Sequence, residues 1–146
     1  MIIIRSPQTK GEFKAYYALR YHILREPLGQ HPGSEKDDYE PISIHFMAVD
    51  DQTHEIVGVV KLFEKDPGIG QFSHLAIAED YQRKGIGRML IDAVEQKARE
   101  IGYHKLGTLT RLTATGFYER CGYKPMGITG VLFGKLQMMW MVKDLC

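Results

Sequence analysis

Nineteen basic against 18 acidic residues leave a formal charge of +1 on 146 residues, of which 44% are hydrophobic and 25% charged, the balance of an ordinary globular domain. A chain of this length buries roughly 68–70% of its unfolded surface, so it needs no disulfide or metal staple to hold a core. With no basic run longer than Arg83-Lys84, a generic nucleic-acid binder is excluded, and two cysteines outside any CxxC pair with six singly placed histidines argue against structural zinc.

The opening Met1-Ile2-Ile3-Ile4-Arg5 is too short an apolar run for a signal peptide. The late apolar stretch is broken by Lys135 and several glycines. The expectation is a reducing, cytoplasmic protein with no membrane partner.

In chain order, Ile2 to Arg5 reads as a short strand, ended by Ser6-Pro7. Thr9-Lys10-Gly11-Glu12 supplies a capping box for a helix that carries Phe13, Tyr16, Tyr17, Arg20 and Ile23 at helical spacing. Glu26 to Pro41 holds three prolines, two glycines and five acids against one lysine, the composition of a long irregular loop. Ile42, Ile44 and Phe46 alternate with polar residues, a turn spans Asp50 to His54, and Ile56 to Phe63 completes a hairpin. A third strand runs from about Ile69 to Ala78. Apolar residues at 86, 89, 90, 93, 94, 98 and 101 then form a helical stripe ended by Gly102. A strand near Lys105 to Leu109, a helix near Ala114 to Cys121 and a last strand through Leu136 to Val142 follow. The order is mixed α/β in a single domain over residues 1–146, with no internal repeat.

The chemistry concentrates in Gln82-Arg83-Lys84-Gly85-Ile86-Gly87, between a predicted strand and the amphipathic helix. The first N–H groups of a helix lack intrahelical partners, the macrodipole is positive there, and glycines let an anion approach the backbone. Arg83 and Lys84 oppose that dipole, and the first acid in the helix is Asp92; a bound anion resolves the conflict. A Walker A loop is excluded because no Gly-Lys-Ser/Thr follows, and the dinucleotide fingerprint fails at Leu90, where its third glycine belongs.

Gln82-x-x-Gly85-x-Gly87 after Leu75-Ala76-Ile77-Ala78-Glu79-Asp80-Tyr81 resembles the acyl-CoA signature of the GNAT superfamily of N-acetyltransferases. Ala114-Thr115-Gly116-Phe117-Tyr118-Glu119-Arg120-Cys121-Gly122-Tyr123 resembles that family's later segment, in which a helix presents a tyrosine and runs into a Gly-aromatic pair; the asparagine that often opens it is replaced by Arg111. The resemblance implies a mixed, mostly antiparallel sheet flanked by helices. It implies that the backbone of Gln82, Arg83, Lys84, Gly85, Ile86, Gly87 and Arg88 holds the pyrophosphate of coenzyme A, and that main-chain groups of Leu75, Ala76 and Ile77 pair with the pantetheine arm. The implied activity is transfer of acetyl from acetyl-CoA to a primary amine of a small molecule or peptide.

For that chemistry, Tyr118 is the expected donor of a proton to the departing thiolate. The base is open. A glutamate used in the histone-acetylating branch falls on Gln71, which takes no proton; His74 lies on the same strand and titrates near neutrality when unperturbed. His45, His31 and the acids of the long loop are further candidates. A non-catalytic acyl-CoA sensor or interaction module is the alternative that Gln71 leaves open. Met138, Met139, Trp140 and Met141 read as a buried or interface strand that admits a homodimer, and Cys121 lacks a histidine fixed nearby. Acceptor specificity is expected in the loops Glu26 to Pro41 and Pro125 to Lys135. The acidity of the first leads to the expectation of a cationic acceptor.

Overall fold

The computed structural model describes residues 1–145; Cys146 lies outside the described residues. Seven strands and three α-helices follow one another as β1 (Ile2–Arg5), α1 (Lys10–Leu24), β2 (Ile44–Asp50), β3 (Ile56–Asp66), β4 (Ile69–Ile77), α2 (Ile86–Ile101), β5 (Lys105–Arg111), α3 (Thr115–Arg120), β6 (Lys124–Leu132) and β7 (Leu136–Asp144). They fall into two compact units, residues 1–63 with 74–94 and residues 64–73 with 95–146, whose boundaries lie inside β3, β4 and α2. The mixed, mostly antiparallel α/β expectation holds. No described helix is long and apolar enough to cross a membrane.

In the first unit β2 pairs antiparallel with both β1 and β3, with Ile2 opposite Asp50 and Met47 opposite Val59. The Thr9 hydroxyl caps α1 by accepting from the Glu12 amide at 3.0 Å, as the capping box predicts. The Glu12 carboxylate also accepts from the Gln8 amide at 2.8 Å and pairs with Arg5. One face of α1 sinks Tyr16 into a cluster with Met47, Val49, Val59 and Ala76. α2 packs tightly on β3, because a Cβ at Gly58 would lie 2.9 Å from Leu90 and 3.1 Å from Ile77.

In the second unit the strands order as β4-β5-β7-β6. β4 and β5 run parallel from the Ile69–Lys105 pair to the Gln71–Gly107 pair, while β5–β7 and β6–β7 are antiparallel. Glu95, only 5% exposed, accepts from the Tyr123 hydroxyl at 2.8 Å and from Lys143 at 3.0 Å, so its charge is both paired and hydrogen-bonded.

The segment from Pro125 to Lys135, expected as a loop, is largely strand β6. Its alternation is hidden by register shifts between Pro125 and Gly127 and between Ile128 and Val131, where Gly127 and Gly130 take φ of +140° and +137°. Each inserted residue resets which face the next side chain takes. β6 is an edge strand in this unit, and Met126, Ile128 and Val131 are exposed upon it. The final strand meets its expectation in part: Met141 is fully buried, whereas Met138, Met139 and Trp140 are half-buried.

Trp140 lies flat across Gly107, whose Cβ, if present, would fall 2.3 Å from the indole, and Lys65 sits 3.8 Å from that ring's centroid. Gly107→Ala therefore displaces the ring, and overpacking of this kind destabilises by about 1–3 kcal/mol. Urea unfolding checks this; a midpoint equal to that of the parent protein would mean that Trp140 moves aside freely.

Candidate active site

Between β4 and α2 a single 3-10 turn, Glu79–Tyr81, hands the chain to Gln82 in extended conformation. The Tyr81 hydroxyl donates to Asp50 at 2.8 Å and the Gln82 amide group donates to the Ile77 carbonyl at 3.0 Å, fixing both ends of the turn. Arg83 then adopts φ +63° and Gly85 φ +83°. Left-handed residues next to ordinary ones curl successive N–H groups into a concave nest. The amides of Arg83, Lys84 and Gly85 have no acceptor among the described residues, and the first turn of α2 has no acid. The Ile86 side chain, 3% exposed, pins this turn to the core, while Arg83, Lys84 and Gly85 face solvent. Arg88 pairs with Asp92 across one helical turn at 3.3 Å. Unfilled donors, two flanking cations and the start of a sixteen-residue helix are features that suit an anion.

His74 stands near the C-terminal end of β4 in the left-handed region, φ +58°, a conformation that non-glycine residues keep only when their surroundings impose it. Those surroundings are charged. Lys61 on β3, with no solvent exposure, bonds Asp37 and sits 3.1 Å from Glu40; Arg20 on α1, equally buried, pairs with Glu40 at 2.9 Å. Burial alone raises both carboxyls; hydrogen bonds from Lys61 and the Tyr39 amide at Asp37, and the Arg20 charge at Glu40, outweigh it and hold both below their ordinary values. Asp37, Glu40 and His74 could together offer three ligand atoms to a metal ion, but the Lys61 ammonium already bridges the two carboxylates.

Hydrogen bonding fixes the form of both histidines. The guanidinium of Arg25 only donates, so His74 Nε2, 3.2 Å from it, accepts, leaving the proton on Nδ1 facing Asp37 at 4.0 Å. Burial first, then the charges of Arg20, Lys61 and Arg25, push the His74 pKa down to about 3. His45 donates from Nε2 to the Glu40 carbonyl at 3.0 Å and receives the Tyr16 hydroxyl on Nδ1 at 2.9 Å; burial lowers its pKa too. With Nε2 engaged by Arg25 and its pKa so low, the His74 imidazole is poorly suited to take an amine proton at neutral pH, and it lies between Arg25 and Asp37.

Of the five acids in the Glu26 to Pro41 segment, Glu35 is buried and Glu40 half-buried, while Glu26, Asp37 and Asp38 are exposed. Asp37 and Glu40 answer Lys61 and Arg20, Glu35 accepts from the Gly33 amide at 2.8 Å, and Glu26 pairs with His22. Lys61 and Arg20 thus answer two of these carboxylates, and Asp38 stays exposed.

In the second unit, Tyr118 on α3 is 8% exposed. Its ring touches those of Phe72, Phe117 and Tyr123 at centroid distances of 5.9, 5.1 and 6.3 Å. Burial and the nearby Cys121 raise its pKa, keeping the phenol protonated. Its hydroxyl makes no hydrogen bond among the described residues, whereas Tyr16 and Tyr123 spend theirs on His45 and Glu95. Cys121 is buried.

Sequence reasoning singled out the 82–88 loop, His74 and Tyr118. It missed Lys61, Arg20 and Arg25, which set the chemistry of His74. The available signal was an arginine at Arg20 on the apolar face of a helix beside Tyr16, and a lysine within a run of β-strand hydrophobics.

Residues 13–123 match the acetyltransferase (GNAT) family, and the chain belongs to that family. It is 38% identical over 63 residues, 43% of this chain, to the amino-acid acetyltransferase of Azotobacter vinelandii, of which the match covers 14%. It is 30% identical over 76 residues, 52% of this chain, to an uncharacterized N-acetyltransferase of Chlorobaculum tepidum, of which it covers 48%. The chain thus spans less than half the length of these curated relatives. Among solved structures, one from Lactobacillus plantarum attributed to an N-acetyltransferase shares the fold with a TM-score of 0.86 at 23% identity over 99% of both chains. A Bacillus subtilis acetyltransferase in complex with CoA does so with 0.77 at 18% identity over 100% of both.

The depressed histidines make stability depend on pH. Below about pH 6.5 the unfolded chain takes a proton at residue 74 that the folded chain refuses until about pH 3, so stability falls as pH falls through that window. His45 acts in the same sense, and the lowered carboxyls of Asp37 and Glu40 extend the loss toward more acidic pH. Between pH 7 and 5 the His74 contribution amounts to about 2 kcal/mol. Urea unfolding at both pH values should show a larger loss for the parent than for His74→Gln; equal losses would mean that the native imidazole protonates freely.

Proposed function

We propose that the protein transfers the acetyl group of acetyl-CoA to a primary amine by direct attack, without an acyl-enzyme. The observation that carries this reading is the Arg83 to Gly85 nest at the entrance of α2, with its unfilled amides and uncompensated cations, in a chain of the acetyltransferase (GNAT) family. Gln82 to Arg88 would hold the pyrophosphate, chiefly through backbone donors, with Arg83 and Lys84 adding charge. Main-chain groups of Leu75, Ala76 and Ile77 would align the pantetheine arm as an added strand.

The acceptor, a small-molecule or peptide amine, attacks as the neutral base. Its nitrogen bonds to the thioester carbonyl carbon, the carbon–sulfur bond breaks, and the amine gives its extra proton to solvent. Tyr118 hands its phenolic proton to the departing thiolate. His74 keeps Arg25 and Asp37 apart and takes no proton.

A second reading, a non-catalytic acyl-CoA sensor, is favoured by Gln71, which takes no proton at the strand position where part of the family has a glutamate. Release of free thiol from acetyl-CoA in the presence of a panel of primary amines supports the enzyme; tight coenzyme A binding with no thiol release supports the sensor.

Two variants test the parts separately. Gly85→Val forces a β-branched residue into φ +83° and should raise the acetyl-CoA dissociation constant by more than about tenfold. Unchanged affinity by calorimetry in a folded variant would refute the placement. Tyr118→Phe retains the ring packing and should slow the chemical step roughly 10²-fold in single-turnover measurements while sparing coenzyme A affinity. Parental rates would return Tyr118 to a packing role.

A further inference from the structure

We propose that a concavity beside α1 binds a small organic anion with a planar, apolar body, at a site separate from the Gln82 to Arg88 loop. The cavity, about 700 Å³, lies between α1 and the Pro32 to Lys36 stretch, and this volume suits an ordinary small-molecule site. Phe13, Tyr17 and Tyr21 recur every fourth residue along α1 and form one wall. Phe13 and Tyr17 lie nearly parallel, with ring planes 27° apart. The two tyrosine hydroxyls are engaged away from the cavity, Tyr17 donating to Glu40 at 3.1 Å and Tyr21 to the Gln30 carbonyl at 2.8 Å. What these residues offer a ligand is therefore ring surface. Ala18, between the tyrosines on the same wall, leaves the space open.

The rim is cationic. Lys10, Lys14 and Lys36 all line the cavity, all are exposed, and none pairs with a carboxylate among the described residues. Several other cations are matched, Lys61 with Asp37 and Glu40, Lys143 with Glu95, and Arg5 with Glu12. The one acid in the lining, Glu35, is 7% exposed and spends its carboxylate on the Gly33 amide. Lys36 already shows the expected interaction in small, with its ammonium 4.5 Å from the centre of the Tyr17 ring. Flat aromatic walls under unmatched ammonium groups complement an aromatic carboxylate, sulfonate or phosphate, and they disfavour a cation of the same shape.

Fluorescence titration of the full chain with anilinonaphthalenesulfonate, an anionic aromatic probe, tests the site, with uncharged N-phenylnaphthylamine as the comparison. The anion should bind more tightly than the neutral dye, and its dissociation constant should rise as salt goes from about 20 to 300 mM. Lys14→Gln with Lys36→Gln should weaken the anionic probe at least about tenfold, and Ala18→Trp, which fills the cavity and keeps every charge, should weaken both dyes. Saturating coenzyme A should leave the probe in place, and Gly85→Val should bind it as the parent does. Equal affinity for the two dyes, an unchanged constant in the double lysine variant, or displacement by coenzyme A would each overturn the proposal, the last by moving the probe to the coenzyme site.

Discussion

An ammonium group with no solvent exposure, that of Lys61, is the constraint on which the first unit depends. Withdrawing such a charge from water is costly unless paired carboxylates answer it. Both of those carboxylates, Asp37 and Glu40, come from the irregular chain between α1 and β2. A segment with little regular structure, rich in proline and glycine, is thereby fastened to the sheet by charge, together with the stack of Tyr39 on Phe63 at 4.2 Å. Removing one member of such a buried set leaves its partner unpaired, which costs about 3–5 kcal/mol.

The same field decides the chemistry around it. Arg20, Lys61 and Arg25 all raise the cost of a proton on His74, so an imidazole that in water would share its time between two forms is kept in one. His45 is held neutral as well, between Tyr16 and the Glu40 carbonyl. His74 and His45 are thus poorly suited to take up a proton, and in the other unit the Tyr118 hydroxyl makes no hydrogen bond among the described residues.

How much of this was legible in the chain follows from the range of the interactions. The cap at Thr9, the glycine-bearing entrance to α2 and the tyrosine of α3 are written within a few consecutive residues, and each could be read there. The partnership of Lys61 with Asp37 spans 24 positions and that of Arg25 with His74 spans 49, distances over which no local pattern reports a contact. From sequence alone, the acids of that segment pointed to an open negative surface; their cations were hidden in a helix face and in a strand. β6 escaped notice for another reason: Gly127 and Gly130 interrupt its two-residue period twice within nine residues.

Those two interruptions matter for how the molecule behaves in a crowded solution. A strand at the rim of a sheet shows a row of unsatisfied amides and carbonyls, and β6 adds exposed methionine, isoleucine and valine, the ingredients from which intermolecular ladders grow. Growth of that kind needs an evenly spaced template. Each extra residue in β6 shifts the donors and acceptors out of step and twists the strand locally, so an approaching chain meets a register broken twice. The glycines that made this strand hard to read in the sequence also make it hard for another strand to copy.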